Sequence, residues 1–206
     1  MITPVILILI SGKRKSGKDF IASELCNRIG LQACIICLSG PLKKMYADFH
    51  NLDYNALLLD GPYKEIYRSE MVAWGEEMRR SDPGFFCRSA ISQNSEHAGQ
   101  ASVWIISDAR RLTDLEFFET NYGQLSAIFR LRIEADDQSR QSRGWIFQTG
   151  IDDCETECGL DDYRNWNFVL NNSLNSQDAL SGQLDKLCAV VQEKLRTEAT
   201  PRSEIS

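Results

Sequence analysis

The sequence has almost no histidine and no long apolar segment. His50 and His97 are the two histidines in 206 residues, so hydrolysis with a histidine as catalytic base has little support. The aliphatic run Val5–Ile10 is far shorter than the roughly 18 residues that a membrane helix needs. It also lacks the basic flank and the small-residue cleavage site of a secretory signal. We therefore expect neither a membrane protein nor a secreted one.

A disulfide framework and an overall basic charge are absent as well. Seven cysteines, an odd number, are typical of reduced cytosolic thiols in a chain of this length. Residues 1–144 contain 18 basic and 18 acidic side chains, whereas residues 145–206 contain 5 and 11, which gives a net charge of −6. Nucleic-acid-binding domains are more often basic overall. We expect a cytosolic monomer that binds small anionic ligands, with neither nucleic acid nor a membrane as partner.

Strands that alternate with helices are the main structural signal. The predicted strands are Val5–Ile10, Ala33–Leu38, Val103–Ser107, Ser126–Ile133 and a further short strand that ends with Val169–Asn171. The predicted helices lie at about 20–29, 42–49, 63–80, 83–92, 112–120 and 179–195, with a polar loop at 94–102. This alternation predicts an α/β fold of three layers, in which helices flank a central parallel sheet and ligands bind at the carboxyl ends of its strands. We expect one domain over residues 1–196 and a disordered C-terminal tail over 197–206.

The segment SGKRKSGKD, residues 11–19, follows the first predicted strand directly. Gly12, Gly17 and Lys18 have the spacing of a phosphate-binding loop. In such a loop, backbone N–H groups and the N-terminus of the following helix bind phosphate oxygens, and the lysine reaches the β- and γ-phosphates. The alternative is a basic surface turn that matches by chance. The position of residues 11–19 between a buried strand and an amphipathic helix favours the nucleotide site.

Asp19 stands where a standard loop of this kind has Ser or Thr as a magnesium ligand. A carboxylate binds Mg²⁺ well, either directly or through a water molecule. Lys13, Arg14, Lys15 and Lys18 supply enough positive charge to offset Asp19 beside a triphosphate. The loop therefore predicts ATP with Mg²⁺ as the ligand.

Charged residues also end the predicted strand VWIIS. Asp108 is a second candidate magnesium ligand, with a cap on the turn into the next helix as an equal alternative. Arg110 and Arg111 follow at the carboxyl edge of the sheet, where a pair of arginines suits a phosphorylated acceptor. A solvated basic turn is the alternative for these two.

Residues 138–145, QSRQSRGW, carry Arg140 and Arg143 in a polar stretch after a strand. In kinases of small phosphorylated molecules, such a segment is a mobile lid that neutralises the transferring phosphoryl group. We predict an arginine-bearing lid over about residues 137–150. An ordinary exposed helix is the competing interpretation.

The cysteine spacings give weaker indications. Cys34 and Cys37 have the spacing of a zinc half-site but fall within a strand, where residues three apart face opposite sides. Cys154 and Cys158 lie in an acidic segment and are either metal ligands or, more simply, unpaired thiols.

Taken together, seven segments of the chain resemble animal-type phosphomevalonate kinases. In order they are SGKRKSGKD, LSGPLKKMYA, YKEIYR, WGEEMRRSDPGFFCR, SDARR, SRQSRGW and ECGLDD, which span residues 11–162. The family's unusual acidic residue after the loop lysine is present as Asp19. Met78 stands where the family has a basic residue, and the match after Asn172 is loose.

The resemblance implies a P-loop kinase fold similar to that of nucleoside monophosphate kinases. It also implies transfer of the γ-phosphoryl group of ATP to mevalonate 5-phosphate, in the route to isoprenoids and sterols. A nucleoside or nucleotide monophosphate kinase is the alternative enzyme. A phosphate-loop switch protein is the alternative outside enzymes, although the sequence has no guanine-reading Asn-Lys-x-Asp motif.

The resemblance also implies roles for individual residues. Catalytic roles fall on Lys13, Lys18, Asp19 and Arg110. The implied ATP-binding residues are Lys13, Arg14, Lys15, Ser16, Gly17, Lys18, Asp19, Arg143, Ser173 and Gln183. The implied acceptor-binding residues are Lys43, Lys64, Arg68, Arg79, Arg88, Arg110, Arg111 and Asn172. Asp19 and Asp108 are the expected contacts for Mg²⁺.

Overall fold

A computed structural model describes residues 3–59, 61–174 and 177–199 of the chain. Five parallel strands form a single sheet in the order β2-β3-β1-β4-β5. The strands are β1 (Ile6–Gly12), β2 (Ala33–Ile36), β3 (Val103–Ile106), β4 (Ala127–Glu134) and β5 (Phe168–Asn171). Every strand that the sequence predicts is present, so the predicted α/β fold with a central parallel sheet is confirmed.

The helices cover both faces of this sheet and one end of it. The helices are α1 (Lys18–Ile29), α2 (Ser39–His50), α3 (Tyr54–Leu58), α4 (Pro62–Ser81), α5 (Phe85–Gln93), α6 (Ser95–Gln100), α7 (Leu112–Tyr122), α8 (Asp137–Ser142), α9 (Glu155–Cys158) and α10 (Gln177–Ala199). The helix α1 ends at Gly30, as the sequence predicts. Within the described ranges, no helix is both long enough and apolar enough to cross a membrane.

Most boundaries differ from the predicted ones by one to three residues, and two segments differ more. The polar loop predicted at 94–102 is wrong, because most of it forms α6. Ala98 of α6 is buried, and its carbonyl accepts a hydrogen bond of 3.0 Å from the indole of Trp104. One buried residue in a polar segment leaves no periodic signal, although it is enough to anchor a short helix. The last helix also continues to Ala199, and the remainder of the predicted tail lies outside the described residues.

The core lies on both faces of the sheet, because alternate residues of a strand point to opposite sides. Ile6, Ile8 and Ile10 pack against α1 and α10. Leu7 and Leu9 face the opposite side, toward α5 and α7. All five are fully buried, so β1 is the central strand that its aliphatic sequence predicts.

A third apolar cluster lies apart from the sheet. Tyr46, Leu57 and Met71 bring together α2, α3 and α4, with Trp74 packed beside them. We refer to α2, α3 and α4 as the outer helices. They lie across the carboxyl edge of the sheet from the loop that follows β1, so a cleft remains between the two.

Candidate active site

The loop between β1 and α1 is shaped by two close backbone approaches. A Cβ atom on Gly12 would lie 2.5 Å from the carbonyl oxygen of Ile133. On Gly17, where φ is +93°, it would lie 2.1 Å from Nδ2 of Asn172. Both positions therefore require glycine, for steric reasons at each and also for the left-handed backbone at Gly17.

Lys18 opens α1 and turns back over the loop. Its ammonium group donates to the carbonyl oxygens of Gly12 at 2.6 Å and Lys13 at 3.0 Å. Only 7% of the residue is exposed. Burial, aided by the charge of Arg110, lowers the pKa of Lys18 from 10.5 to about 8, against the opposing effect of Glu157. A lysine in this setting gains strongly from a bound anion.

A cleft of about 630 Å³ opens at the carboxyl edge of the sheet, beside the loop. It brings together predicted residues from five separate parts of the chain. Those that line it are Arg14, Lys15, Gly17, Lys18, Asp19, Lys43, Lys64, Arg68, Asp108, Arg110 and Arg143. Basic side chains thus surround the space from both the loop and the outer helices, as two phosphorylated ligands would require.

A second cavity, of about 440 Å³, lies behind the loop. Lys13, Ser16 and Ser173 line it, together with Arg132 and Arg140. The hydroxyl of Ser173 accepts a hydrogen bond of 3.0 Å from the backbone N–H of Asp136.

Asn172 and Gln183 line neither cavity. Asn172 is buried beneath the loop, where its amide donates to the carbonyl oxygen of Ser16 at 2.8 Å. Gln183 lies on α10, and its buried Oε1 has no hydrogen-bond partner within the described part of the chain. Contact of these two residues with a substrate or with ATP stays a prediction.

Three of the predicted acceptor-binding arginines do not line the cleft. Arg111 is 4% exposed and pairs with Glu76 and, at 2.9 Å, with Glu155. The guanidinium of Arg79 lies 4.5 Å from the ring centre of Phe86. These contacts give both arginines a place in the packing of the surrounding helices.

The third of these arginines, Arg88, pairs with Asp82 on the surface. Contact with a substrate stays a prediction for all three.

Asp108 is buried and joins two strand ends. Its carboxylate accepts backbone hydrogen bonds from Leu38 at 2.6 Å and Ser39 at 3.0 Å, in the turn after β2. Burial acts to raise the pKa of Asp108, but Arg110 and these donors outweigh burial and hold it below its ordinary value. The cap of α7 belongs instead to Asp114, which accepts the backbone N–H groups of Arg110 and Arg111.

The segment predicted as a lid lies over the loop. Arg143 donates to the carbonyl oxygens of Lys15 and Ser16, both at 3.3 Å, and to that of Asn172 at 2.5 Å. Arg140 is buried, with its guanidinium 3.8 Å from the ring centre of Trp145. Residues 137–142 form the short helix α8, of which Ser139 and Arg140 are buried, so both the lid and its movement stay predictions.

Arg14 connects the loop to the end of this segment. Its guanidinium donates to Asp152 at 2.7 and 3.1 Å, and the indole of Trp145 donates to the same carboxylate at 2.9 Å. Burial tends to raise the pKa of Asp152, but these hydrogen bonds keep it lowered. Arg14 thus has a protein partner already, and a direct contact with ATP stays a prediction.

Two buried acids were missed by the sequence analysis. Asp152 and Glu157 both contact Arg14, which is more than 130 residues away in the chain. The signal that could have pointed to them is charge balance, since this acidic stretch complements a loop with four basic residues. The same stretch contains Cys154 and Cys158, which are unbridged, as are the other five cysteines.

Comparison by sequence finds relatives of the chain among known proteins. A model of the family described as phosphomevalonate kinase matches residues 10–124. The phosphomevalonate kinase of Drosophila melanogaster is 42% identical over 183 residues, which cover 88% of this chain and 96% of that protein.

Solved structures resemble the chain more distantly. A sugar kinase from a Janibacter species covers 92% of this chain and 95% of its own, at 11% identity and a TM-score of 0.46. A Thermus thermophilus protein covers 93% of this chain and 98% of its own, at 18% identity and a TM-score of 0.48. TM-scores below 0.5 do not establish a shared fold. The fold is therefore assigned from the order and direction of the strands, and the family from the sequence matches. The chain belongs to the phosphomevalonate kinase family.

Proposed function

We propose that the chain transfers the γ-phosphoryl group of ATP to the phosphate of mevalonate 5-phosphate, giving ADP and mevalonate 5-diphosphate. Membership of the family makes it an ATP-dependent kinase of the mevalonate pathway. The observation that carries the proposal is a single cleft with the phosphate-binding loop on one side and the basic residues Lys43, Lys64 and Arg68 on the other. Leu58 and Leu59 also line the cleft and could contact a nucleobase, so the choice of acceptor rests on these basic residues together with the family.

The reaction needs positioning more than proton removal. The attacking oxygen belongs to a phosphate, which is already ionised near neutral pH, so no general base is required. Catalysis then depends on bringing two polyanions into line and neutralising the charge of the transferring group. Lys18 would contact the β- and γ-phosphates from beneath, and Arg110 would contact the phosphate of the acceptor beside it.

The remaining predicted residues divide between the two substrates. The backbone N–H groups of Arg14 and Ser16 already donate to Glu157 and to the carbonyl oxygen of Lys13. The other N–H groups of the loop would bind the triphosphate of ATP, aided by Lys13, Lys15 and Arg143. Lys43, Lys64 and Arg68 would bind the phosphate and the carboxylate of the acceptor. Arg68, which donates to Glu65 at 2.6 and 2.8 Å, is kept with them because it lines the cleft on the acceptor side. For Arg14, Arg79, Arg88 and Arg111, whose side chains pack against or pair with protein groups, we propose that they support the residues that touch the substrates.

Kinases of this type generally need a divalent metal, and we propose Mg²⁺ with Asp19 and Asp108 as the carboxylates that face it. Within the described residues, no three histidine, cysteine or acidic side chains form a metal cluster. That fits Mg²⁺, which usually binds one or two carboxylates together with substrate phosphates and water. When bound, the ion would supply positive charge that offsets the charge developing on the transferring phosphoryl group, with Asp19 and Asp108 as the residues that would hold it.

Replacement of one carboxylate tests this assignment. We expect Asp19→Asn to raise the Mg²⁺ concentration for half-maximal activity by roughly tenfold, since one charged ligand is lost. A magnesium titration at fixed ATP measures the change, with Asp48→Asn, an exposed acid on α2, as the control. An unchanged magnesium dependence in Asp19→Asn would remove Asp19 from the metal site.

The proposed reaction is tested with a coupled assay of ADP release in the presence of Mg-ATP. Mevalonate 5-phosphate, AMP, CMP and UMP are compared as acceptors at equal concentrations. We expect turnover with mevalonate 5-phosphate alone. Turnover with a nucleotide instead would establish the alternative, a nucleoside monophosphate kinase, and no turnover with any acceptor would favour a switch protein. A cytosolic location and a monomeric state stay predictions.

A further inference from the structure

Glu157 lies on α9, between the phosphate-binding loop and the cleft. Its side chain is 5% exposed, although α9 is a short helix of four residues near the surface. A buried carboxylate costs folding free energy unless charged or polar groups compensate it. Its partners therefore indicate why an acid occupies this position.

Each carboxylate oxygen of Glu157 binds a different part of the site. Oε2 accepts the backbone N–H of Arg14 at 2.6 Å, within the phosphate-binding loop. Oε1 accepts from Nη1 of Arg110, at the carboxyl end of β3. The same guanidinium nitrogen donates to the carbonyl oxygen of Thr156 at 3.3 Å, so α9 holds Arg110 through two adjacent residues.

Arg110 has a second restraint at its backbone. Its N–H donates to Asp114 at 2.9 Å, which fixes the main chain, whereas Glu157 fixes the guanidinium. Asp108 also acts electrostatically on Arg110, but Glu157 is the stronger acidic neighbour. Without Glu157, the long side chain of Arg110 would keep its position in the chain and lose its defined direction.

We propose that Glu157 is a positioning residue for phosphoryl transfer, which holds the guanidinium of Arg110 at a fixed place relative to the phosphate-binding loop. The inference rests on the proposed function, because it concerns the alignment of donor and acceptor phosphates. A shift of about 1 Å in a group that aligns reactants costs on the order of 100-fold in rate. The carboxylate of Glu157 contacts both Arg110 and the phosphate-binding loop, so it restrains the distance between them directly.

A double-mutant cycle tests the proposal. The variants are Glu157→Gln, Arg110→Met and the double variant, assayed with γ-labelled ATP and mevalonate 5-phosphate. We expect Glu157→Gln to lower kcat about 100-fold with the KM for ATP little changed, since Gln still accepts from Arg14. In the Arg110→Met variant, Glu157→Gln should lower kcat by no more than about threefold, because the arginine through which Glu157 acts is absent.

The matched control is Asp162→Asn, an exposed acid five positions further along the chain. It makes the same change of charge, and we expect kcat to stay within about twofold of the wild type, as for most surface substitutions. Binding of ADP, measured by calorimetry, counts the folded sites in every variant. If fewer than about a tenth of the sites bind ADP after Glu157→Gln, Glu157→Asp takes its place in the cycle.

If Glu157→Gln lowers kcat equally with Arg and with Met at position 110, the proposal is overturned. Glu157 would then affect the rate by stabilising the fold rather than by positioning Arg110. A loss of ATP affinity without a loss of kcat would overturn the proposal too. Failure of the wild type to phosphorylate mevalonate 5-phosphate would count against the proposed function. The two failures are therefore distinguishable in the same assay.

Discussion

The two sides of the cleft are built in different ways. The phosphate-binding loop continues a fully buried central strand, and Gly12, Gly17 and Lys18 are fixed by contacts with the backbone and with Asn172. The opposite side presents Lys43, Lys64 and Arg68 from the outer helices, whose apolar side chains form a cluster of their own.

This difference indicates that the loop side of the cleft is rigid and that the side formed by the outer helices is adjustable. Groups held by the backbone of a central strand cannot shift without disturbing the core, because cores are packed to near crystal density. The outer helices pack on one another and on α5 rather than on the sheet, so they can move at lower cost. We therefore expect the donor side to be formed before ATP binds, and the acceptor side to adjust when its substrate arrives. Four predictions test this contrast.

The largest effect is expected at Lys18. Lys18→Met keeps the length of the side chain and removes the ammonium group that would neutralise the transferring phosphoryl group. Loss of such a contact should lower kcat by about 1000-fold. The coupled ADP-release assay measures it, and near-normal turnover would refute the assignment of the loop.

The next largest effect is expected at Gly17. Gly17→Ala adds a Cβ atom against Asn172 and places a residue other than glycine in a left-handed conformation, which is strained. ATP binding should therefore weaken by about 100-fold. Gly30→Ala is the matched control, with φ of +81° and nothing within 4 Å of the added atom. It should lose stability and keep its affinity for ATP in calorimetry. Equal affinities for ATP in the two variants would mean that the loop is less rigid than its contacts indicate.

A smaller and more selective effect is expected on the outer helices. Arg68→Gln should raise the KM for the acceptor roughly 30-fold, as loss of one charge-assisted hydrogen bond of about 2 kcal/mol implies, with the KM for ATP unchanged. The control is Arg80→Gln, on the same helix α4, where 72% of the side chain is exposed. Steady-state kinetics with each substrate varied in turn measures both KM values. An equal rise in the two would contradict the separation of the cleft into an ATP side and an acceptor side.

The smallest effect concerns pH. Because the pKa of Lys18 is lowered to about 8, its ammonium form is present below that pH and is lost above it. The kcat/KM for ATP should therefore fall by about tenfold near pH 9, since it reports groups of the free enzyme. Lys18→Arg keeps its charge at this pH and should show no such fall. A flat wild-type profile to about pH 9.5 would contradict the lowered pKa.

Sequence patterns predicted those features whose cause is local. Strand β1 and the loop depend on neighbouring residues, namely an aliphatic run, two glycines and a lysine at fixed spacing. The parallel direction of the strands also follows from few rules, because alternating elements strongly favour a parallel sheet, whereas the order β2-β3-β1-β4-β5 is known only from the structure.

The paired arginines after β3 mark the limit of such reasoning. Arg110 and Arg111 are adjacent, and either could be assigned to a phosphorylated acceptor. Arg110 faces the cleft, whereas Arg111 is buried beside Glu76 and Glu155. The direction of each side chain depends on α4 and α9, which lie far away in sequence and meet only in the folded protein.

The contact between Gly17 and Asn172 has a consequence for the nascent chain. The loop takes its final form only when the amide of Asn172 reaches the carbonyl of Ser16, a partner 156 positions earlier. A ribosome that adds about 5–20 residues per second therefore exposes the sequence motif well before the chain can complete it. Competence to bind ATP should appear late in synthesis and abruptly, once β5 joins the edge of the sheet.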